Sequence, residues 1–461
     1  MSAPGIYRAR HNGASHSRVP RGFSLLEVMI ALTLGLLLSL GLVTVFTATS
    51  SASKVQQALA RLQENGRYGV GRIDADLRML GAQYCENSDS QNSAAQANGL
   101  VYATIAIMSN VAAPSIAGSG IGAFPDSDGA NTQLRGLPPA GWTAAGGVAY
   151  PITAAAMVRG YECTAAGSCT PTVPSATGID GLPAAGTTAG TRVRGTDVLT
   201  IRYQRGTGWP FTVNTAVVPN TITLAPGSTD DSNAAGSPHA FGAGGTALIS
   251  TCGGGQVIGV AAAGNVLTPV NLVQSSTYSP VAMRQGFDVR VFNFGADFVT
   301  VTYYLEYRAD ANVTGRVIPT LIRRENGIAS EVVQGVERLD IRYGVQYADG
   351  SLRFMNASDV VANSNSTNCP APPPQQASYG YEAECLWRSV KTIQVNMLFD
   401  SVDNQFDLSS QDKAYQYDGS GWLAPPNNPT ATMTSYANGQ IAGSMMRREF
   451  ITTVAVRNAA R

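Results

Sequence analysis

Between Phe23 and Phe46 the chain runs for 24 residues with one charged side chain, Glu27. As a helix this run would be about 36 Å long, enough to cross a hydrocarbon core of ~30 Å. No other feature of the sequence constrains the fold as strongly, because an apolar segment of that length has to be covered by lipid or by protein. A carboxylate inside it costs roughly 2.5–3.5 kcal/mol on insertion scales, so Glu27 asks for a function. Residues 1–22 carry Arg8, Arg10, Arg18 and Arg21 and no acid. That bias keeps this end cytoplasmic and exports the chain beyond the apolar run. An ordinary secretory signal has a shorter apolar stretch and a small-residue cleavage site. Ser51-Ala52-Ser53 offers such a site, but that reading leaves Glu27 unexplained.

The pattern Gly22-Phe23-Ser24-Leu25-Leu26-Glu27 resembles the processing site of type IV prepilins. The resemblance implies cleavage after Gly22 by an inner-membrane prepilin peptidase, methylation of Phe23, and Glu27 at the fifth mature position. Cleavage creates an α-amino group that is mostly cationic at neutral pH. In the family, the Glu of an incoming subunit neutralises that amine on a neighbour. A buried pair of opposite charges removes two desolvation problems together. Ala31, Gly35 and Ser39 fall four residues apart, on one helix face. Small residues at that spacing let helices approach closely in an apolar medium; an ordinary anchor helix with incidental small residues reads the same way.

From Lys54 to Leu80 the apolar positions Val55, Leu59, Leu62, Val70, Ile73, Leu77 and Leu80 recur at gaps that fit one stripe of an amphipathic helix. Gly66 and Gly69 interrupt it, marking either a soft spot or a close packing contact, and Gly81 stands where a helix cap is expected. The stretch Ala58 to Cys85, ALARLQENGRYGVGRIDADLRMLGAQYC, resembles the helix of PilW-type minor pilins.

About 380 residues follow Gly81, more than one core usually serves. Strand patterns cover Asp197 to Tyr203, Phe298 to Tyr304, Leu339 to Tyr343, Thr392 to Phe399 and Phe450 to Val456. Thr320 to Arg324 and Ile328 to Val333 flank Glu325-Asn326-Gly327, a hairpin turn, since Asn-Gly tolerates positive φ. Asp349-Gly350 and Asp418-Gly419 give similar turn signals. The order DVLTIRY, FVTVTYYLEY, LIRRENG, VVQGVERLDIRYGV and REFITTVAVRN resembles a PilW-type head. The implied fold is α+β and type IV pilin-like, a long N-terminal helix packed on an antiparallel β head with large loop insertions. The expected divisions are a removed leader at 1–22, a transmembrane and filament-core helix at 23–49, an amphipathic half at 50–81 and an extracytoplasmic head at 82–461. The stretches near 86–190 and 205–290, rich in Gly, Ala, Ser, Thr and Pro, read as long loops with some β structure.

Charged residues make up only 13% of the chain, with 49 glycines, which suits an exported surface protein. Basic and acidic residues balance at 31 each, and without the leader at 27 against 31. That balance gives no electrostatic basis for nucleic-acid binding. Six cysteines in an exported chain suggest disulfides, with 15 possible full pairings. Local spacing favours Cys163–Cys169 and Cys369–Cys385, leaving Cys85–Cys252.

Signals of catalysis, metal or cofactor are weak. His239 is the only histidine of the mature chain and sits in the loop-like Gly-Ser-Pro-His-Ala-Phe-Gly. The glycine runs at 242–245 and 253–255 lack the Lys-Ser/Thr of a phosphate loop. Asp126-Ser127-Asp128-Gly129 lacks the closing Glu of a calcium loop. Trp142, Trp209, Trp387 and Trp422 serve either adhesion or packing. The expectation is therefore a non-enzymatic protein without cofactor. The resemblance implies a minor pilin that joins other minor pilins and the major pilin at an inner-membrane assembly platform. There it primes filament assembly and sits at the pilus tip, outside a Gram-negative cell, as a possible tip adhesin. Twitching motility, adhesion and DNA uptake are what such filaments do in the family. The rivals are a large minor pseudopilin of a type II secretion system and a membrane-anchored or secreted periplasmic enzyme or binding protein.

Overall fold

The computed structural model describes residues 22–82, 84, 105–107, 115–116, 119–120, 150–152, 157–173, 181–225, 241, 245–251, 254–270, 272, 289–370, 385–403, 417 and 445–456. The leader before Gly22, Cys85, Cys252, His239, Asp126 to Gly129, Trp142, Trp422, Asp418-Gly419 and the glycines 242–244 and 253 lie outside the described residues.

A single helix, α1, spans Leu25–Met79. At 55 residues it is about 80 Å long by the α-helical rise. Its first part is apolar on all sides and exposed throughout. From Ala58 onward the buried residues are Ala58, Leu62, Gly66, Gly69, Ile73, Asp76 and Leu77, again at gaps of three and four. Both glycines lie on the buried stripe itself, so the close packing contact is the reading that holds. A Cβ at Gly66 would collide with the Phe450 ring, and one at Gly69 would lie 3.0 Å from the Phe399 ring and 3.1 Å from Val333. The helix ends at Gly81, whose φ of 69° no β-branched residue would tolerate. There its N–H donates to the Arg202 carbonyl, and the Gln204 N–H donates to the Ala82 carbonyl. The helix end is thus stitched to a strand.

That strand, Val198–Gln204, lies inside an eight-stranded sheet. The path runs Ile328–Gln334, Val317–Glu325, Phe298–Ala309, Val198–Gln204, Val158–Cys163, Cys169–Thr170. The turn Asn326-Gly327 has φ of 45° and 89°, as the hairpin signal requires. The odd-numbered residues Val299, Val301, Tyr303 and Leu305 face the main core, which also takes Leu62, Ile73, Leu77 and Leu80. A four-stranded antiparallel sheet, Leu352–Met355, Val336–Gln346, Val390–Asp400, Arg447–Ala455, adds to that core through Ile341, Tyr343, Ile393, Val395 and Val454. Trp209 and Trp387 are buried, one in each of two separate clusters, so both pack rather than adhere.

The stretch at 205–290, expected as long loops with some β structure, holds more β structure than that. Its described residues belong to a second eight-stranded sheet that includes Phe211–Asn214, Thr221–Leu224, Gly245–Thr251, Gly254–Ala263, Val266–Val270 and Arg290–Asn293. Ala247 and Ile249 point into a core of its own with Trp209, Ile222, Ile258 and Leu267. Leu248, Val257 and Phe292 join the main core from the opposite face. A strand covered on both sides has no need to alternate polar with apolar. Gly254–Ala263, GGQVIGVAAA, is also too rich in small residues to show a period. In the 86–190 stretch the described residues include the short strands Ile105–Ile107 and Tyr150–Ile152, which pair with each other.

Candidate functional site

The exposed part of α1 is built for an apolar surrounding. Its helix starts at Leu25, which puts Ser24 at the N-cap position and Glu27 in the first turn, with the Val28 N–H donating to the Ser24 carbonyl at 3.1 Å. A carboxylate in the first turn meets the positive end of the helix dipole. Gly22 and Phe23 precede the helix and are exposed, Phe23 at 82%. Ala31, Gly35 and Ser39 are exposed on one face, and the surface around Gly35 is open, with nothing within 4 Å of a Cβ placed there. Sequence reasoning missed the threonines of this half. Thr33, Thr44, Thr47 and Thr49 each donate their hydroxyl to a carbonyl one turn back, at 2.7–3.1 Å. Every one of these four polar groups is satisfied inside the helix, which is what hydrocarbon demands. The signal was available in the sequence as hydroxyls confined to threonine and serine.

At the other end, Asp76 sits on the buried stripe and anchors a charged lock. Arg323 Nε donates to Asp76 Oδ2 at 2.6 Å, Tyr203 donates to Asp76 Oδ1 at 3.2 Å, and Tyr303 donates to Asp76 Oδ2. Arg323 also pairs with Glu325, which Arg205 reaches from the neighbouring loop at 2.7 Å. Strand register explains the convergence. Tyr303 and Arg323 are directly opposed across the Phe298–Ala309 and Val317–Glu325 pair, and Tyr203 is opposed to Val299 on the same face. Burial and the Asp76 charge push Tyr203 up to about 12 and Tyr303 further, so both keep their protons and act as donors. Burial alone would lower Arg323, but its bonds to Asp76 and Glu325 carry it above its ordinary value. Glu325 moves the other way: partial burial raises it, and the guanidinium groups of Arg323 and Arg205 more than offset this and pull it below the ordinary carboxylate value. This lock was not legible as a site, since Asp76 reads as one polar residue beside an apolar stripe.

Among the described residues two disulfides tie the head. Cys163–Cys169 closes a short hairpin at the end of the eight-stranded sheet. Cys369–Cys385 holds the segment after the short helix Ala357–Ala362 against the turn Cys385–Ser389. Among the described residues no group of three or more His, Cys, Asp or Glu side chains is placed to hold a metal ion.

Comparison with known proteins agrees with the two ends of this arrangement. Residues 302–458, which take in the whole four-stranded sheet and the strands Val317–Glu325 and Ile328–Gln334 of the first eight-stranded sheet, match the family described as type IV pilus-assembly protein W. Residues 18–43 match the prokaryotic N-terminal methylation motif. A pilin-like protein, PilA3 of Thermus thermophilus, is 41% identical over 75 residues, covering 16% of this chain and 31% of that protein. The chain therefore spans less than a third of that relative's length. No solved structure matches. The chain is pilin-like, and these matches point to a structural protein rather than an enzyme.

Proposed function

We propose that this chain is a minor pilin that helps to prime type IV pilus assembly and sits in the pilus tip complex. A prepilin peptidase cuts after Gly22 and methylates Phe23. The helix then anchors the subunit in the inner membrane of a Gram-negative cell, with the head in the periplasm, until the filament takes it up. Glu27 neutralises the Phe23 amine of a neighbouring subunit, and the Ala31, Gly35 and Ser39 face packs against adjacent helices. Its partners are other minor pilins, the major pilin and the inner-membrane assembly platform. The filament supports twitching motility, adhesion or DNA uptake.

The observation that carries this reading is the coincidence of a prepilin-type motif with a helix half whose large apolar side chains are all exposed. Such a surface requires lipid or other helices around it. Mass spectrometry of the mature N-terminus from membranes and sheared filaments tests it. A methylated Phe23 in sheared pili is expected. An intact leader in cells with active prepilin peptidase, or a start near Ser53, would overturn it. Recovery of methylated protein with a secretion apparatus and never with pili would move it to a pseudopilus. Glu27→Ala should leave cleavage intact and deplete the protein from filaments, and normal incorporation of that variant would remove the role given to Glu27.

A further inference from the structure

We propose that Cys163–Cys169 is a directional thiol–disulfide exchange site, opened by attack on Cys169 with Cys163 leaving as a thiolate held by Arg192. The two sulfurs sit in different surroundings. Cys163 is buried at 3% exposure, while Cys169 is half-buried at the edge of its sheet. An incoming thiolate reaches the second and not the first. Behind the disulfide, Arg192 lies 1% exposed with its Nη1 3.3 Å from Cys163 Sγ and its Nη2 donating to the Gly167 carbonyl at 3.2 Å. Among the described residues no carboxylate pairs with this guanidinium.

A buried thiolate is normally disfavoured, and an adjacent guanidinium reverses that preference. Exchange is faster when the departing sulfur is the better-stabilised thiolate. Three carboxyls lie near. Glu306 is opposed to Arg192 across the strands, but it is engaged by Arg308 at 3.2 Å and by the Tyr304 hydroxyl at 3.2 Å. Asp197 accepts the Cys163 N–H at 3.3 Å, but burial first, and the Asp340 charge second, push its pKa well above the ordinary range. Glu162 is engaged by Asn356 and Ser358. None of them competes with the sulfur for Arg192. Burial lowers Arg192 itself to about 10, which still leaves it charged at neutral pH.

The co-reactant is a dithiol. One of its thiolates bonds to Cys169 Sγ as the Cys163–Cys169 bond breaks, and Cys163 leaves with the electron pair. The second thiolate of the dithiol attacks its partner's sulfur in that mixed disulfide and releases Cys169. Two electrons pass from the dithiol to the two cysteines; of its two protons one ends on Cys169 and one goes to solvent, since Cys163 stays a thiolate, and the dithiol ends as a disulfide. The hairpin keeps its shape when opened, because Thr164 N–H donates to Ser168 O at 2.8 Å, Gly167 N–H donates to Thr164 O at 2.9 Å, and Gly195 N–H donates to Thr164 O at 3.0 Å.

The test uses the full chain in detergent micelles with graded ratios of reduced to oxidised glutathione, acid quenching, alkylation and peptide mass spectrometry. Cys163–Cys169 should open at a lower ratio than Cys369–Cys385, both of whose cysteines are buried, with glutathione captured on Cys169. Arg192→Gln should slow the opening roughly tenfold, and Arg192→Lys should restore most of the rate. Glutathione found mainly on Cys163 or equally on both sulfurs, or Cys369–Cys385 opening first, would overturn the proposal. So would a folded Arg192→Gln chain that opens at the unsubstituted rate. Should Arg192→Gln fail to fold, the site of glutathione capture in the unsubstituted chain decides the question alone.

Discussion

The two parts of α1 use one backbone for opposite purposes. Before Gln57 the helix shows leucines outward, Leu36 at 71% exposure among them, and the hydroxyls of Thr33, Thr44, Thr47 and Thr49 are turned back on its own carbonyls. From Ala58 the same helix hides a narrow stripe in which two positions are glycine and one is aspartate. The first part specifies an environment and no unique neighbour. The second specifies particular neighbours, since the Phe450 ring fills the space over Gly66 and Arg323 and two tyrosines complete Asp76. Chemical uniformity makes a surface many copies can share, and chemical detail makes a fixed joint.

The contrast is most exposed to test at Asp76. Asp76→Ala leaves the buried Arg323 half-compensated, and breaking such a pair costs about 3–5 kcal/mol. Denaturant unfolding of the chain in detergent should show that loss, while Glu27→Gln should leave head unfolding unchanged. A comparable loss from both variants would mean the two parts are not distinct. Leucines give the next contrast. Leu77→Ala, in the main core, should destabilise the head by about 2–5 kcal/mol, and Leu36→Ala should not register in the same assay. The glycines then sharpen it. Gly66→Ala forces a methyl into the Phe450 ring and should cost about 1–3 kcal/mol in a thermal melt. Gly35→Ala meets open space and should leave the melt alone.

The smallest effect is electrostatic. The folded pKa of Glu325 lies below its ordinary value of 4.5, so its contribution is complete above about 4.5 and lost as pH falls through the lower folded value. Unfolding measured from pH 7 down to pH 3 should therefore weaken at the acid end, and Glu325→Gln should flatten that portion of the curve. An unchanged profile in the variant would place the acid sensitivity elsewhere, with the buried Asp197 excluded by sign, because burial raises its pKa.

Much of this was legible because the patterns were strict. The apolar run, the three-and-four stripe through Leu62, Ile73 and Leu77, and the alternation of FVTVTYY each allow one kind of element, and Asn326-Gly327 allows one kind of turn. The glycines at 66 and 69 were visible, but the ring that fills the gap over Gly66 comes from a strand 384 positions away, and no local rule reports it. The inserted sheet escaped for a different reason. Its two long strands, Gly245–Thr251 and Gly254–Ala263, are rich in Gly, Ala and Thr and pack on both faces, so neither alternation nor bulk marked them. Asp76 escaped because a carboxylate beside an apolar stripe ordinarily faces solvent, and only the register of two distant strands brings Tyr303 and Arg323 to it.

That separation of Gly66 from Phe450 also sets a clock. Ribosomes add roughly 5–20 residues per second, so the helix is made about 20–75 s before the ring that closes over it. Throughout that interval Leu62, Ile73 and Leu77 have no finished seat, and pairing over so long a loop is inherently slow. Strand Arg447–Ala455 completes the joint by pairing along nine residues with Val390–Asp400. A nascent subunit stalled before it would carry a helix able to enter a bilayer and a head that lacks the Phe450 ring over Gly66. Maturation of the head is therefore gated by its distal strand, and a chaperone acting on this protein would find its longest-lived client surface on the inner stripe of α1.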